Sequence, residues 1–445
     1  MSKFLLLIID AVLFLGSIFL ALFLRQLNID HFFYWTDYIP LFIPIVLTSY
    51  IFSIYDLNFL RKHGLKKTFL ALFFINILFG MGFFYLFSGI MNLGTPKTTL
   101  FSSLSIFYLA AYFTRKQFLS FKDKRGLLVK KIVIIGVSST INEIKQNLLN
   151  NKEYKVIFEY ASLDEQKGNI ENYTKKNIDF IVIQNGYLFN RDTAFWKPLA
   201  KNFVNKGITI KTDFDFYEEL FGRIPDESVK ESLWLIKTIA ERDEYGVYKI
   251  LKRSIDILVS LLAVLLFFIP FLFIWLVIKI VDGYNPVFKQ KRIGYLGKTF
   301  YIYKFRTMKQ KKNDTAAKEV FNEYNKEQSE YGVTGKILRR FRLDEIPQLI
   351  NLIKGDLSLV GPRPVWDKEY ETAEKQISNY SLRNIVRPGI AGWAQLNFRA
   401  VRNIEDCVIR FAYDIYYIKN KSFFLDISII LKTIRRLFIS DKKMG

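Results

Sequence analysis

Five apolar runs constrain this chain more than any other feature. Four lie at residues 4–24, 38–55, 69–91 and 98–113, and the fifth, 257–278, holds 22 residues without a charge. A helix crossing a bilayer core needs ~20 such residues, and a run of that kind offers water no polar face. A wholly soluble or disordered chain is thereby excluded. The run at 4–24 is too long for the apolar core of a signal peptide. It is followed by Leu-Arg-Gln-Leu-Asn rather than a small-residue cleavage site, so it is expected to stay as an anchor.

Loop charge orients the first four runs. Arg61, Lys62, Lys66 and Lys67 separate the second from the third, and Arg115, Lys116, Lys122, Lys124 and Arg125 follow the fourth. The other two loops carry Arg25 against Asp30 and Asp37, and Lys97. Basic loops stay in the cytoplasm, so residues 1–114 read as a four-helix transmembrane bundle with both ends on that side. Asp10, in the first run but near its basic-flanked end, is expected to reach the interface.

Residues 130–241 change pattern. Short apolar runs (KIVIIG, KVIFEY, DFIVIQ, ITIKT) alternate with polar helical segments, the mark of a βαβ domain with a parallel sheet. The first run ends at Gly136, followed by Val-Ser-Ser-Thr. A dinucleotide turn needs further glycines for close backbone approach, so a structural or regulatory Rossmann-like domain is expected rather than a nucleotide site.

The fifth run contains Pro270 and is basic on both sides, with Lys249, Lys252 and Arg253 before it and Lys279, Lys289, Lys291 and Arg292 after it. Positive charge at both ends suggests a helix that bends at Pro270 and returns to its side of entry. Proline also occurs in helices that cross, and the length permits either topology.

The charge balance of +22 attracts anionic partners: nucleic acid, lipid headgroups or phosphorylated small molecules. Residues 286–312 hold nine Lys/Arg and no acid, interleaved with aromatics. A basic membrane-surface patch fits this. Nucleic acid does not suit a chain tethered by its own apolar segments. Both histidines, His31 and His63, precede all later chemistry, and the single cysteine, Cys407, excludes a multi-cysteine metal site and reads as a packing residue.

The densest chemistry is LRRFRLDEIPQLINLIKGDLSLVGPRP, residues 338–364. Arg339, Arg340 and Arg342 precede Asp344 and Glu345. Guanidinium neighbours favour a charged carboxylate, so Asp344 is expected below its usual pKa and ionised. Such a group suits a nucleophile toward phosphorus or a Mg²⁺ ligand completed by substrate phosphates; plain ion pairs on a surface helix are the bland reading. Arg363 in a Gly-Pro-Arg-Pro turn, with Arg383 and Arg387 in SLRNIVRPGIAGWAQLN, adds planar cations matched to phosphate oxygens. The pattern points to membrane-bound phosphoryl transfer.

PVFKQKRIGYLGKTFYIYKFRTM, RLDEIPQLINLIKGDLSLVGPRP and VRPGIAGWAQLN, in this order after a proline-containing apolar segment, strongly resemble the bacterial polyprenyl-phosphate phosphoglycosyl transferases. The likeness covers residues 248–445; the four-span bundle and Rossmann-like domain before it resemble the large, WbaP-like architecture. It implies a fold of membrane bundle, α/β Rossmann-like domain and mixed α/β catalytic domain with a re-entrant helix at 254–280, broken at Pro270. It also implies a multi-pass protein of the bacterial cytoplasmic membrane with its catalytic domain on the cytoplasmic face. The reaction implied is transfer of a sugar 1-phosphate from a UDP-sugar to undecaprenyl phosphate with release of UMP, initiating exopolysaccharide, capsule or O-antigen synthesis.

By the same resemblance, Asp344 is the nucleophile forming a covalent phosphosugar, and Glu345 the Mg²⁺ ligand or orienter. Lys304, Arg306 and Arg363 would meet the diphosphate or lipid phosphate, with Arg383 and Arg387 as further positions of that kind. Relatives suggest self-association as a homodimer. Phe341-Arg342 stands where many relatives carry Thr-Ser, Ala391 replaces a common Thr, and Phe398 follows Asn397 where Gly is frequent; these departures bear on the choice of sugar and on loop shape. Residues 422–438 look amphipathic and suit the membrane interface, with simple core packing as the alternative. A nucleotide-sugar dehydratase would need an intact glycine-rich turn after Ile135, and a non-catalytic export scaffold would tolerate Asp344→Asn.

Overall fold

The computed structural model describes residues 3–24, 97–124, 129–151, 153–161, 178–185, 208–230, 246–307, 332, 334–398 and 401–438, with scattered positions between 42 and 77. The second and third apolar runs therefore lie largely outside the described residues. The chain divides into two compact units, residues 1–131 with 151–155, and residues 132–150 with 156–445.

In the first unit, α1 (Lys3–Leu24) packs along α2 (Lys97–Lys124), with Phe14 edge-on to Phe107. Asp10 faces inward, between helices. It is 1% exposed and paired with the fully buried Arg115 at 2.7 Å. An isolated charge at that depth is costly, and a partner one helix away relieves it.

The second unit begins with an α/β layer. β1 (Lys130–Ile135), which crosses the boundary between units, is followed by α3 (Ser139–Leu149), β2 (Tyr154–Tyr160), β3 (Phe180–Ile183), β4 (Thr209–Thr212), α4 (Asp213–Phe221) and the short α5 (Asp226–Lys230). Their sheet has the order β2–β1–β3–β4, with β1–β3 and β3–β4 parallel. The strands lie where apolar runs were expected, because strands covered on both faces need continuous apolar residues. Ile132 to Ile135 and Phe180 to Ile183 are all buried.

Next comes α6 (Gly246–Val277), a 32-residue helix assigned without interruption through Pro270 and continued by a π-helical turn, Ile278–Asp282. Among the described residues, 5–24 and 248–282 form the two helices long and apolar enough to cross a membrane. Most of α6 faces outward, with Leu265, Leu266, Ile269 and Phe273 exposed. Such a surface is stable against lipid, not water. Both of its ends nevertheless pack on one domain. Arg253 donates to the carbonyls of Leu352 and Ile353 at 2.7 and 2.8 Å, and Asp256 accepts from the Leu359 amide at 3.0 Å. At the far end, Ile274 and Ile278 join Phe305 and Leu338 in one apolar cluster.

The rest is mixed α/β: β5 (Val287–Ile293), β6 (Thr299–Phe305), α7 (Gly335–Arg340), α8 (Leu349–Lys354), β7 (Ser358–Val360), β8 (Val365–Trp366), α9 (Asp367–Gln376), β9 (Gly389–Ala391), α10 (Trp393–Asn397), α11 (Ile404–Asn420) and α12 (Phe423–Phe438). The main core gathers Val360, Tyr380, Cys407, Phe411, Ile415 and Ile429. Cys407 is fully buried and its thiol is pushed up to about 11 by that burial, so it packs rather than reacts. Ile224 and Val229, from the segment expected in the middle domain, are buried in the same cluster. In α12, Ile429 and Asp426 are buried while Phe423, Phe424 and Ile434 are exposed, so one face belongs to the core and an apolar remainder faces outward.

Candidate active site

The first wall is a hairpin. β5 and β6 pair antiparallel, with Arg292 opposite Phe300, Gln290 opposite Ile302 and Phe288 opposite Lys304. Side chains alternate faces along a strand, so Arg292 and Lys304 share the face that buries Phe300 and Ile302. The turn is tight: Leu296 and Gly297 have φ of 53° and 76°.

The second wall is the acidic turn. Arg342 takes the left-handed conformation, φ 54°, and opens a 3₁₀ helix, Leu343–Gln348. Three residues per turn divide this helix into three edges. Leu343 and Ile346 form one and pack against the cluster containing Ile274 and Ile278. Glu345 and Gln348 form the second and line a small pocket with Arg292, Lys304, Arg363 and Gly389. Asp344 and Pro347 occupy the third, so the two acids diverge, and it is Glu345 that lines the pocket.

The third wall is the arginine turn. β7 and β9 run parallel, Ser358 beside Gly389 and Val360 beside Ala391. Gly361 N donates to Ala391 O and Gly389 N to Pro362 O, both at 2.9 Å. This binds the Gly-Pro-Arg-Pro and Arg-Pro-Gly segments edge to edge and delivers Arg363 to the pocket.

Electrostatics separate the two acids. Burial raises Glu345, but Lys304, Arg363 and Arg342 outweigh it and hold its carboxyl below the usual range; Lys304 Nζ donates to it at 3.4 Å and the Arg342 guanidinium lies at 3.9 Å. Phe341-Arg342 therefore adds a cation to the pocket acid. Lys304 is lowered, by burial first and then by Arg363 and Arg292, despite the pull of Glu345. Asp344 departs from expectation. Its carboxyl is raised, first by burial and then by the charge of Glu345, which Lys304 and Arg339 do not offset. Of the arginines preceding it in sequence, Arg339 acts on Asp344 and Arg342 faces Glu345.

The other expected cations are placed differently. Arg306 lies over the rings of Tyr284 and Phe288 at 5.8 and 5.7 Å, beyond the lining residues, and its Nε is buried without a hydrogen-bond partner. Arg383 is 3% exposed; its guanidinium is held by Asp414 at 2.6 Å and donates to the Arg363 carbonyl at 3.0 Å. Arg387 donates to Gly355 O at 3.1 Å and stacks over Tyr295 at 5.5 Å. Neither lines the pocket. Arg292 and Gln348, which do, were not singled out from sequence. The signal was present: alternation on either side of Gly294–Gly297 predicts a hairpin that sets Arg292 and Lys304 on one face. As for a metal, no group of three or more His, Cys, Asp or Glu occurs among the described residues. An ionised Glu345 beside Asp344 offers the hard oxygen donors Mg²⁺ takes when substrate phosphates supply the rest.

Residues 247–440 match the family model described as bacterial sugar transferase. An N-acetylgalactosaminephosphotransferase acting on undecaprenyl phosphate, from Aeromonas hydrophila, is 38% identical over 193 residues, which are 43% of this chain and 44% of that relative, so less than half of the relative is matched. The sugar transferase EpsL of Bacillus subtilis is 38% identical over 43% of this chain and 89% of its own length. A UDP-glucose:undecaprenyl-phosphate glucose-1-phosphate transferase of Xanthomonas campestris pv. campestris is 27% identical over 74% of this chain and 71% of its own. The chain belongs to the bacterial sugar transferase family.

Proposed function

We propose that this chain transfers a sugar 1-phosphate from a UDP-sugar to undecaprenyl phosphate and thereby initiates an exopolysaccharide, capsule or O-antigen repeat unit. The observation that carries the reading is the 3₁₀ turn, which points one edge at the apolar cluster of α6 and another at a pocket of Arg292, Lys304 and Arg363, and carries Asp344 on its third edge. A lipid phosphate and a water-soluble diphosphate must meet at such a boundary.

In this reading the pocket cations take the donor diphosphate. An Asp344 oxygen attacks the sugar-bearing phosphorus, forming an acyl phosphate bond as the bond to UMP breaks. The lipid phosphate oxygen then attacks the same phosphorus and releases Asp344, giving undecaprenyl-diphosphate-sugar. A nucleophile must be deprotonated, so the raised Asp344 makes the first step sensitive to mild acid and to the cations donor binding brings. Glu345 with the donor phosphates would hold Mg²⁺, which would supply charge neutralisation on the diphosphate.

Both ends of α6 pack on the same domain, and one folded domain does not straddle a bilayer. This supports a helix that enters the membrane and returns, with the catalytic domain on the cytoplasmic face, as the basic loops expect. The test is mass spectrometry of full-length protein quenched with UDP-sugar and no lipid acceptor, across a panel of UDP-sugars. A phosphosugar on Asp344, absent in Asp344→Asn, is expected; UMP release that survives Asp344→Asn would overturn the reading.

A further inference from the structure

The middle sheet has a crevice that its own side chains fill. In the order β2–β1–β3–β4 the carboxyl ends of β1 and β3 flank the reversal point of the sheet. Open parallel sheets receive nucleotides there, with phosphate on the amides opening the next helix. The turn has the form for it, since Gly136 takes φ of 116° and α3 begins at Ser139.

Its donors are already engaged. Val137 N donates to Gln184 Oε1 at 3.2 Å, and Ser138 Oγ to Asp213 Oδ2 at 3.0 Å. Ser139 N donates to Glu227 Oε1 at 3.1 Å and Thr140 Oγ1 to Glu227 Oε2 at 3.0 Å, with the Ser139 hydroxyl on the same carboxylate. Ile141 N donates to Ser138 Oγ at 3.0 Å, and Asn185 N to Asp213 Oδ1 at 2.9 Å. Glu227 thus uses both oxygens as a phosphate would, where the helix dipole favours an anion. An incoming phosphate would meet two carboxylates instead of free amides.

The source of Glu227 gives this consequence. α5 is five residues long, and its Val229 is buried in the catalytic core with Phe411 and Ile415. Just before it, Ile224 N donates to Ala412 O at 3.3 Å, and Trp393 Nε1 donates to Gly222 O at 2.6 Å. Lys419 pairs with Glu218 at 2.7 Å. One short helix therefore has its acid in the crevice and its apolar side in the catalytic core.

We propose that Glu227 is an internal ligand of this crevice, and that the middle domain serves as a brace docked on the catalytic domain rather than as a nucleotide receptor. The test is hydrogen–deuterium exchange of the full-length protein in nanodiscs, together with NADH fluorescence titration. Wild type is expected to show no saturable NADH binding up to millimolar concentration. Glu227→Ala, and more weakly Glu227→Gln, which keeps one acceptor, are expected to exchange about fivefold faster, the scale of a lost helix cap, in peptides covering 137–142 and also 222–230. NADH binding by wild type with protection of 137–142 overturns the proposal. So does unchanged exchange in Glu227→Gln and Glu227→Ala, and a change confined to 137–142 overturns the coupling.

Discussion

The Arg383 guanidinium, gripped by Asp414 at 2.6 Å, donates to the backbone carbonyl of Arg363 at 3.0 Å. A planar fork is needed to bond a carboxylate and a carbonyl together. Arg383 thus orients the turn that presents Arg363 without touching the pocket. Arg383→Lys keeps the charge but not the fork. Its UMP release is expected to fall about tenfold in kcat/KM, equivalent to about 1.4 kcal/mol, with KM carrying most of the loss. Asp414→Asn, which strands a buried guanidinium, is expected to destabilise by about 3 kcal/mol or more. An Arg383→Lys enzyme with unchanged KM would show that the turn holds itself.

Glu345 and Asp344 are coupled through charge. Burial and then the Glu345 carboxylate raise Asp344, so kcat/KM should rise with pH through that elevated value. Glu345→Gln removes the second cause. Activity will drop, but the acid limb of what remains should move to lower pH. A limb that stays in place would mean that burial alone sets the acid.

What was readable from sequence follows from the range of each interaction. The apolar run in α6, the buried strand Phe180–Ile183 and the motif residues Lys304, Asp344 and Glu345 are local signals, and the hairpin around Gly294 was available to the same logic. The state of Asp344 was not, because it depends on how deeply the 3₁₀ turn is buried and which edge Glu345 takes. Arg383 looked like a phosphate ligand because a guanidinium near a motif has the same letters as one locked inside. Its partner, Asp414, is brought to it only when α11 packs. Asp10 likewise depended on Arg115, on another helix.

Gly389 and Gly361 let two backbones touch. A Cβ on Gly389 would lie 2.0 Å from Gly361 N and 2.6 Å from the Val360 carbonyl carbon. Backbone atoms in paired strands cannot yield as a flexible side chain does. Gly389→Ala is expected to cost about 3 kcal/mol or more, at the upper end of overpacking, and to abolish UMP release by parting β7 from β9. A stable, active Gly389→Ala protein in a denaturation and activity assay would refute this close approach.

Asp213 gives the middle sheet a pH dependence. It is 1% exposed, and its carboxyl is pushed up to about 6 by burial, which the hydrogen bonds from Ser138, Asn185 and Phe214 only partly offset and the charge of Glu227 reinforces. A folded value above the unfolded one means the protonated form is favoured by folding, so the contribution of Asp213 to stability is greatest in acid and falls as pH rises from 3.8 through about 6. The loss complete at pH 7 is about 3 kcal/mol. Asp213→Asn keeps an acceptor for the two amides and places an amide donor toward Ser138, without a charge to desolvate. After correction for intrinsic rates, wild-type exchange at 132–138 and 180–185 should quicken between pH 5.5 and 7.5, and the Asp213→Asn protein should show a flatter response. Equal slopes would place the titration elsewhere.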